Sequence, residues 1–115
     1  MLTMDALMIY GADTHAGLRR CLNDEAFYLG LVEMLICDDK FDLLAVALEE
    51  RNVAACLHIA YALADTAEGL ALTPLTEQLE KLILCLQLQG DGAVLDRQFR
   101  LVRQALNILR AIQQE

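Results

Sequence analysis

Leucine recurs every three or four residues through the second half of the chain, and this spacing constrains the fold more than any other feature. One run follows Thr73-Pro74, a helix-start signal with Thr73 as N-cap and proline at the first helical position, and ends before Gly90. A second run follows Asp91, a residue type that caps helix N-termini. Each run predicts an amphipathic helix with one apolar stripe. The stripes are Leu75, Leu79, Leu82 and Leu86, then Leu95, Phe99, Val102, Leu106 and Leu109.

The middle of the chain carries the start and stop signals of another long helix. Asn52 is a favourable N-cap, and Gly69 suits the left-handed position that follows a helix. We therefore predict a helix over residues 53–68. Its predicted inner face, spaced by three and four, is Val53, Cys56, Leu57, Ala60, Leu63 and Ala67.

Four helices are predicted upstream of Asn52. The first spans residues 1–9 and is stopped by Gly11, and the second runs from the N-cap Asp13 through residue 22. Asn23 is the predicted N-cap of the third, which ends near residue 37, and Asp38 or Asp39 starts the fourth. The third and fourth carry the predicted stripes Phe27, Leu31, Met34 and Leu35, and Phe41, Leu44, Ala45 and Leu48.

These signals predict an all-α fold in a single domain over residues 1–115. Strand patterns and linkers are absent, and short connections join the last four predicted helices. Short connections imply antiparallel neighbours, so we predict a four-helix bundle. The composition agrees, because 57% of the residues are apolar, there is one proline, and there is no tryptophan.

Charge and hydropathy argue against two classes of partner. A net charge of −8 is unfavourable for nucleic acid, whose binding rests on clustered lysine and arginine. Arg97, Arg100, Arg103 and Arg110 do lie on the last helix, and we interpret them as a solvated face. No apolar run reaches the ~18 residues that a membrane span needs, and the N-terminus does not resemble a secretory signal. We therefore expect a cytoplasmic monomer without membrane contact.

Catalytic and metal-binding patterns are absent from the sequence. The cysteines are far apart, form no C-x-x-C pair and have no histidine at ligand spacing, so we interpret them as buried free thiols. There is no serine and no glycine-rich phosphate loop. We expect no metal, no cofactor and no enzymatic activity. The cysteines are Cys21, Cys37, Cys56 and Cys85.

The segment AYALADTAEGLALTPL, residues 60–75, resembles the core motif of histidine-phosphotransfer (HPt) domains. That motif reads roughly A-H-x-L-K-G-x-x-x-x-L-G-L-T-P-L, and the chain follows it without a gap. The matching residues are Ala60, Leu63, Leu70 and Leu72 to Leu75. The resemblance extends over about residues 10–89 and implies an up-down bundle whose short N-terminal helices cap one end.

The resemblance also implies a loss of phosphotransfer. Tyr61 occupies the position of the phosphorylated histidine, and Ala64 and Asp65 replace the lysine and glycine that follow. A phenol with a pKa near 10 is almost wholly un-ionised at pH 7, so it is a poor phosphoacceptor beside an imidazole with a pKa near 6.5. The resemblance thus implies a degenerate HPt domain that binds a response-regulator receiver domain or a histidine kinase without carrying phosphate. Its predicted binding residues are Tyr61, His58, Ala64, Asp65 and Glu68.

Two alternatives remain open. His58 lies one turn before Tyr61 and could share its face, so a shifted phosphoacceptor is sterically possible, although no lysine follows at the required spacing. The second alternative is a helical interaction scaffold outside phosphosignalling. It is indicated by the nearly continuous apolar run at residues 82–88, interrupted by Gln87, which leaves little polar face on that helix.

Overall fold

The computed structural model describes residues 1–115, and every regular element in it is an α-helix. The helices are α1 Met4–Tyr10, α2 Thr14–Arg20, α3 Glu25–Ile36, α4 Lys40–Glu49, α5 Val53–Gly69, α6 Thr73–Gln87 and α7 Gly92–Gln114. The all-α prediction is confirmed. Helix α5 packs on α4 and α6, and α7 packs on α6 and α4. Helix α3 packs on α2 and α7, and α1 packs on α2 and α7. Buried residues of α1 and of α3 to α7 belong to one hydrophobic core.

None of the seven helices combines the length and the hydropathy that a bilayer crossing requires.

Side-chain caps start three of the seven helices where the sequence placed them. The carboxylate or amide oxygens of Asp13, Asn52 and Asp91 accept hydrogen bonds from backbone N–H groups three residues later, at 3.1, 3.1 and 2.9 Å. For α3 the predicted cap Asn23 is wrong, and Asp24 performs that role. Asn23 instead has φ 58° and donates its N–H to Leu18, because it belongs to the end of α2.

The turn between α5 and α6 differs from the prediction by two residues. Gly69 is the last helical residue of α5, and the left-handed conformation falls on Ala71, with φ 56°. The Ala71 N–H donates to Glu68 and the Leu72 N–H to Ala67, which closes the helix end. Thr73 is the first residue of α6 and makes no side-chain cap, so Pro74 occupies the second helical position.

The predicted stripes of α6 and α7 form the centre of the core. All four leucines of the α6 stripe are buried, as are Leu95, Val102, Leu106 and Leu109 of α7. Phe99 is half-buried, with the Arg103 guanidinium 5.2 Å from its ring centre. Arg103 also forms an ion pair with Asp42 at 3.3 Å, and Arg110 donates to the Ile36 carbonyl. The arginines of α7 are thus only partly a solvated face.

The predicted core of α3 is wrong for two of its four residues. Phe27 is 50% exposed and Met34 is 70% exposed, Leu31 is half-buried, and only Leu35 is buried. The buried face of α3 consists of Tyr28, Val32, Leu35 and Ile36. Both sets repeat at helical spacing. The neighbours α2 and α7 decide which set faces inward.

Smaller corrections concern the edges of other stripes. Ala47 rather than Ala45 is buried in α4, and Val53, at the first position of α5, is exposed. Ala64 is buried in α5, whereas Leu57 is only half-buried. Among the cysteines, Cys21 and Cys56 are buried, Cys85 is half-buried, and Cys37 is exposed, because it follows the last residue of α3.

Tyr28 joins the N-terminal helices to the α5–α6 turn. Its ring is fully buried against Gly17 of α2, and its hydroxyl donates to the Leu70 carbonyl at 2.8 Å. A Cβ atom on Gly17 would lie 2.6 Å from Cε1 and 2.7 Å from Oη of Tyr28. Only glycine lets α2 approach the ring this closely.

We predict that Gly17→Ala destabilises the protein by about 1–3 kcal/mol, because an added methyl overpacks a filled site. Gly30→Ala is the matched control, since no heavy atom lies within 4 Å of the added Cβ on α3. Alanine at position 30 should stabilise the protein by about 0.5–1 kcal/mol, because alanine has a higher helix propensity than glycine. Urea unfolding of both variants measures the difference, and equal effects would contradict the close packing of Tyr28.

Tyr28 also predicts a loss of stability at alkaline pH. Burial, then the nearby Cys21 and Asp13, raise the pKa of Tyr28 from 10 to about 12. A group whose pKa is raised on folding contributes stability that is complete below its unfolded pKa and is lost as pH rises toward its folded pKa. The free energy of unfolding should therefore fall between pH 10 and about 12.

The matched variant for this pH dependence is Tyr28→Phe. It should be less stable than the wild type at neutral pH by about 1–3 kcal/mol, because the Leu70 carbonyl loses its donor. Its stability should fall less steeply above pH 10. Urea titrations at a series of pH values measure both slopes, and parallel slopes would show that the Tyr28 proton is not linked to folding.

Candidate docking face on helix α5

Tyr61 lies midway along α5, the helix that packs against both α4 and α6. The helix forms here because Asn52 caps its start and the segment is rich in alanine and leucine, which favour helix. Cys56, Ala60, Leu63 and Ala67 turn into the core at spacings of three and four. This leaves Tyr61 on the outside, and 44% of its surface is exposed.

His58, Asp65 and Glu68 are also exposed on α5. Together with Tyr61 they repeat at intervals of three, four and three residues, so the four side chains share one side of the helix. We call this set the α5 outer face. The side chains of His58, Asp65 and Glu68 make no hydrogen bond or ion pair within the protein, and they are free to meet a partner.

Ala64 does not join this face. The sequence grouped it with the other four, but it is only 7% exposed and belongs to the hydrophobic core. The position that carries lysine in the HPt motif therefore points inward here. A methyl group suits that environment, whereas a lysine would have to extend its charged end past the core residues to reach water.

Gln87 is a contact of Tyr61 that the sequence did not predict. The Gln87 side-chain amide, at the last residue of α6, donates a hydrogen bond to the Tyr61 hydroxyl. The two residues are 26 positions apart, and only the antiparallel register of α5 and α6 brings them together. Leu84 of α6 and Leu88, which follows the last residue of that helix, are 52% and 72% exposed, so apolar surface occurs at the same end of α6.

The α5 outer face is acidic. Asp65 and Glu68 contribute two unpaired carboxylates, and Arg20 is the cation nearest to that end of α5. The Arg20 guanidinium donates to the backbone carbonyl of Glu68 at 2.7 Å, where a positive charge also complements the negative end of the helix dipole. The face thus offers a phenol, an imidazole and carboxylates, with no cationic side chain of its own.

Neither a reactive thiol nor a cluster of metal ligands accompanies these residues. Burial raises the pKa of the Cys56 thiol, opposed in part by Arg51, so the thiol is protonated and unreactive at neutral pH. No three histidine, cysteine, aspartate or glutamate side chains converge as metal ligands would. His15 is exposed on α2 and has no hydrogen-bond partner.

Comparisons with protein-family models, with curated proteins and with solved structures found no match to this chain.

The different environments of Tyr61 and Ala64 lead to a stability prediction. Tyr61→His should change the free energy of unfolding by less than about 1 kcal/mol, because tyrosine and histidine have similar helix propensities and the site is open to water. Ala64→Lys should destabilise by about 1–3 kcal/mol, because it places a long charged side chain at a buried position. Thermal and urea unfolding compare the two, and equal effects would place Ala64 at the surface.

Proposed function

We propose that this chain is a degenerate HPt domain that binds a receiver domain or a histidine kinase of a two-component phosphorelay in the cytoplasm without accepting phosphate. The observation that carries the proposal is the exposed phenol of Tyr61, midway along α5 and in register with the HPt motif. The proposal assigns the protein a modulating role rather than an enzymatic one.

The helix contacts are compatible with the HPt architecture. Helices α4 to α7 contact one another in chain order, and α7 returns to α4. We propose that these four helices form the up-down bundle of that family, with α1 to α3 as the cap at one end. In such a bundle the phosphorylated histidine stands on an outer face of a central helix, which is the position that Tyr61 takes on α5.

The chemistry of the α5 outer face favours binding over phosphotransfer. The phenol at position 61 donates and accepts hydrogen bonds and offers an aromatic ring, which suits a contact in a protein interface. As a phosphoacceptor it is disfavoured, because a phenol is a weaker nucleophile than the imidazole that the HPt motif has at this position. Position 64, where the HPt motif has lysine, holds a buried alanine, so it supplies no cation to offset the charge of a phosphate. Asp65 adds an exposed carboxylate at the next position. The proposed partner contact is therefore a docked complex without group transfer.

Exposed leucines at the C-terminal end of α6 favour a second candidate function, a helical interaction scaffold outside phosphosignalling. Leu82, Ile83 and Leu86 are buried in the core, but Leu84 and Leu88 are exposed. These two leucines present apolar surface to solvent. A third reading, phosphorylation of His58, is favoured only by the exposure of that imidazole on the α5 outer face.

Binding to a panel of receiver domains tests the proposed function. Receivers held in the active form with beryllofluoride should bind the wild-type protein, and Tyr61→Ala should weaken the affinity by about tenfold, the loss typical of a central aromatic contact. Leu101→Ala is the control, because Leu101 is similarly exposed but lies on α7. Its affinity should stay within about twofold of the wild type.

The same receivers, once phosphorylated, distinguish the alternatives. We expect no acid-labile label on the protein and slower transfer from the receiver to an active HPt domain added as acceptor. Label that appears on the wild type and disappears in His58→Ala would overturn the proposal in favour of a shifted phosphoacceptor. Absence of binding to every receiver and kinase tested would favour the scaffold function.

A further inference from the structure

Helix α3 carries a second apolar stripe that the core covers only in part. Phe27, Leu31 and Met34 are spaced by four and three residues on the outer side of the helix. The opposite side packs on the core through Tyr28, Val32 and Ile36. An ordinary amphipathic helix has one apolar stripe and a polar remainder. In the outer stripe of α3, Leu31 packs partly against the core, whereas Phe27 and Met34 leave 50% and 70% of their surface exposed.

The outer stripe forms one wall of a groove. Thr66 and Gly69 of α5 form the other wall, and the groove has a volume of about 390 Å³. Its remaining lining residues are Arg20, Cys21, Leu35, Asp38 and Leu70. We call this the α3–α5 groove. A Cβ atom built on Gly69 meets no heavy atom within 4 Å, so the groove is open at that wall. From Phe27 to Met34 the stripe is about 10 Å long, which corresponds to two turns of a helix.

Shape and spacing suit one kind of occupant. Apolar grooves between helices bind amphipathic helices whose anchors repeat at i, i+3, i+4 and i+7. Methionine and phenylalanine are effective walls for such a groove, because the flexible thioether adapts to different anchors and the aromatic ring offers a large contact area.

The charges around the groove select the polar face of the occupant. Glu33, Asp65 and Glu68 directly precede the lining residues Met34, Thr66 and Gly69 in the chain; all three are exposed, and none forms an ion pair within the protein. The lining itself carries two charged residues, Asp38, which pairs with Lys40 at 3.2 Å, and Arg20, which donates to the Glu68 carbonyl and keeps its charge. Three unpaired carboxylates thus accompany one unpaired guanidinium, and the groove has an apolar floor and a surrounding with net negative charge.

We propose that the α3–α5 groove binds an amphipathic helix of a partner protein whose polar flanks carry lysine and arginine. The apolar anchors enter between Phe27, Met34 and Gly69, and the basic side chains meet the carboxylates of Glu33, Asp65 and Glu68. Electrostatic attraction accelerates the encounter and disfavours acidic helices. This binding differs from the receiver contact in its apolar anchors, because it rests on the outer stripe of α3 and does not require Tyr61; the two contacts share the carboxylates of Asp65 and Glu68.

A synthetic peptide tests the proposal. The probe is a fluorescein-labelled peptide of about 15 residues made of leucine and lysine, with leucine at i, i+3, i+4 and i+7. Fluorescence anisotropy should show saturable binding to the wild-type protein that weakens as salt is added. A peptide of the same composition in scrambled order, and one with glutamate in place of lysine, should each bind at least about tenfold more weakly.

Two double variants locate the site. Phe27→Ala with Met34→Ala should weaken peptide binding by about tenfold or more, as expected for the anchors of an interface. Leu84→Ala with Leu88→Ala is the control, because these leucines are exposed to nearly the same extents, 52% and 72% against 50% and 70%, but lie in the last turn of α6 and directly after it. The control should stay within about twofold of the wild type, and so should Tyr61→Ala. Circular dichroism confirms that each variant is folded.

Four results would overturn the proposal. They are no saturable binding to the wild type, equal losses in the two double variants, equal binding of the glutamate peptide, and self-association of the protein that the Phe27 and Met34 substitutions abolish. The last result would identify a second copy of this chain as the occupant. Receiver binding that persists while peptide binding is absent would leave the proposed function standing and remove only this inference.

Discussion

The C-terminal end of α5 is the point on which the arrangement of the other elements depends. Helix ends leave backbone carbonyls without partners, and here the N-terminal part of the chain supplies the donors. Arg20 donates to the Glu68 carbonyl, the Tyr28 hydroxyl to the Leu70 carbonyl, and the Asp13 N–H to the Ala71 carbonyl. These three bonds connect α2, the loop before it, and α3 to one turn. They set where the N-terminal helices lie against the four helices that follow.

The hydrogen bond from Tyr28 to the turn after α5 explains which face of α3 is buried. Two apolar stripes compete on this helix, and each satisfies the helical period equally well. Tyr28 belongs to one of them, and its ring needs the space beside Gly17 while its hydroxyl needs the Leu70 carbonyl. Once Tyr28 is buried, Phe27 and Met34 lie on the outer side. The α3–α5 groove is therefore a consequence of the same contact that holds the N-terminal helices in place.

The α5 outer face and the α3–α5 groove adjoin along α5 and share an acidic border. A phenol, an imidazole and carboxylates stand on the outer face, and apolar side chains line the groove beside it. Tyr61 is a weak nucleophile, and burial raises the pKa of the Cys56 thiol. Both surfaces have the chemistry of recognition. The two proposed contacts could consequently be occupied by different parts of one partner or by two partners.

Interactions between residues close in the chain determined where several helices begin and which residues form the centre of the core. Caps at Asp13, Asn52 and Asp91, together with the leucine stripe of α6, predicted the positions of these helices and the centre of the core. These signals act between residues within one or two helical turns of each other, so they can be recognised in the sequence alone. The exposure of Tyr61 and His58 was also predictable, because the core positions of α5 leave them on the opposite side.

Tertiary packing decided the features that depend on contacts between residues distant in the chain. The burial of Ala64, the bond from Gln87 to Tyr61 and the exposure of Phe27 and Met34 require the register of one helix against another. The left-handed residue after α5 is Ala71 rather than Gly69, since the geometry of the turn to α6 and its bonds to the N-terminal segment select the position. Helical periodicity is a property of one segment, whereas the choice between two apolar faces is a property of the neighbours that cover them.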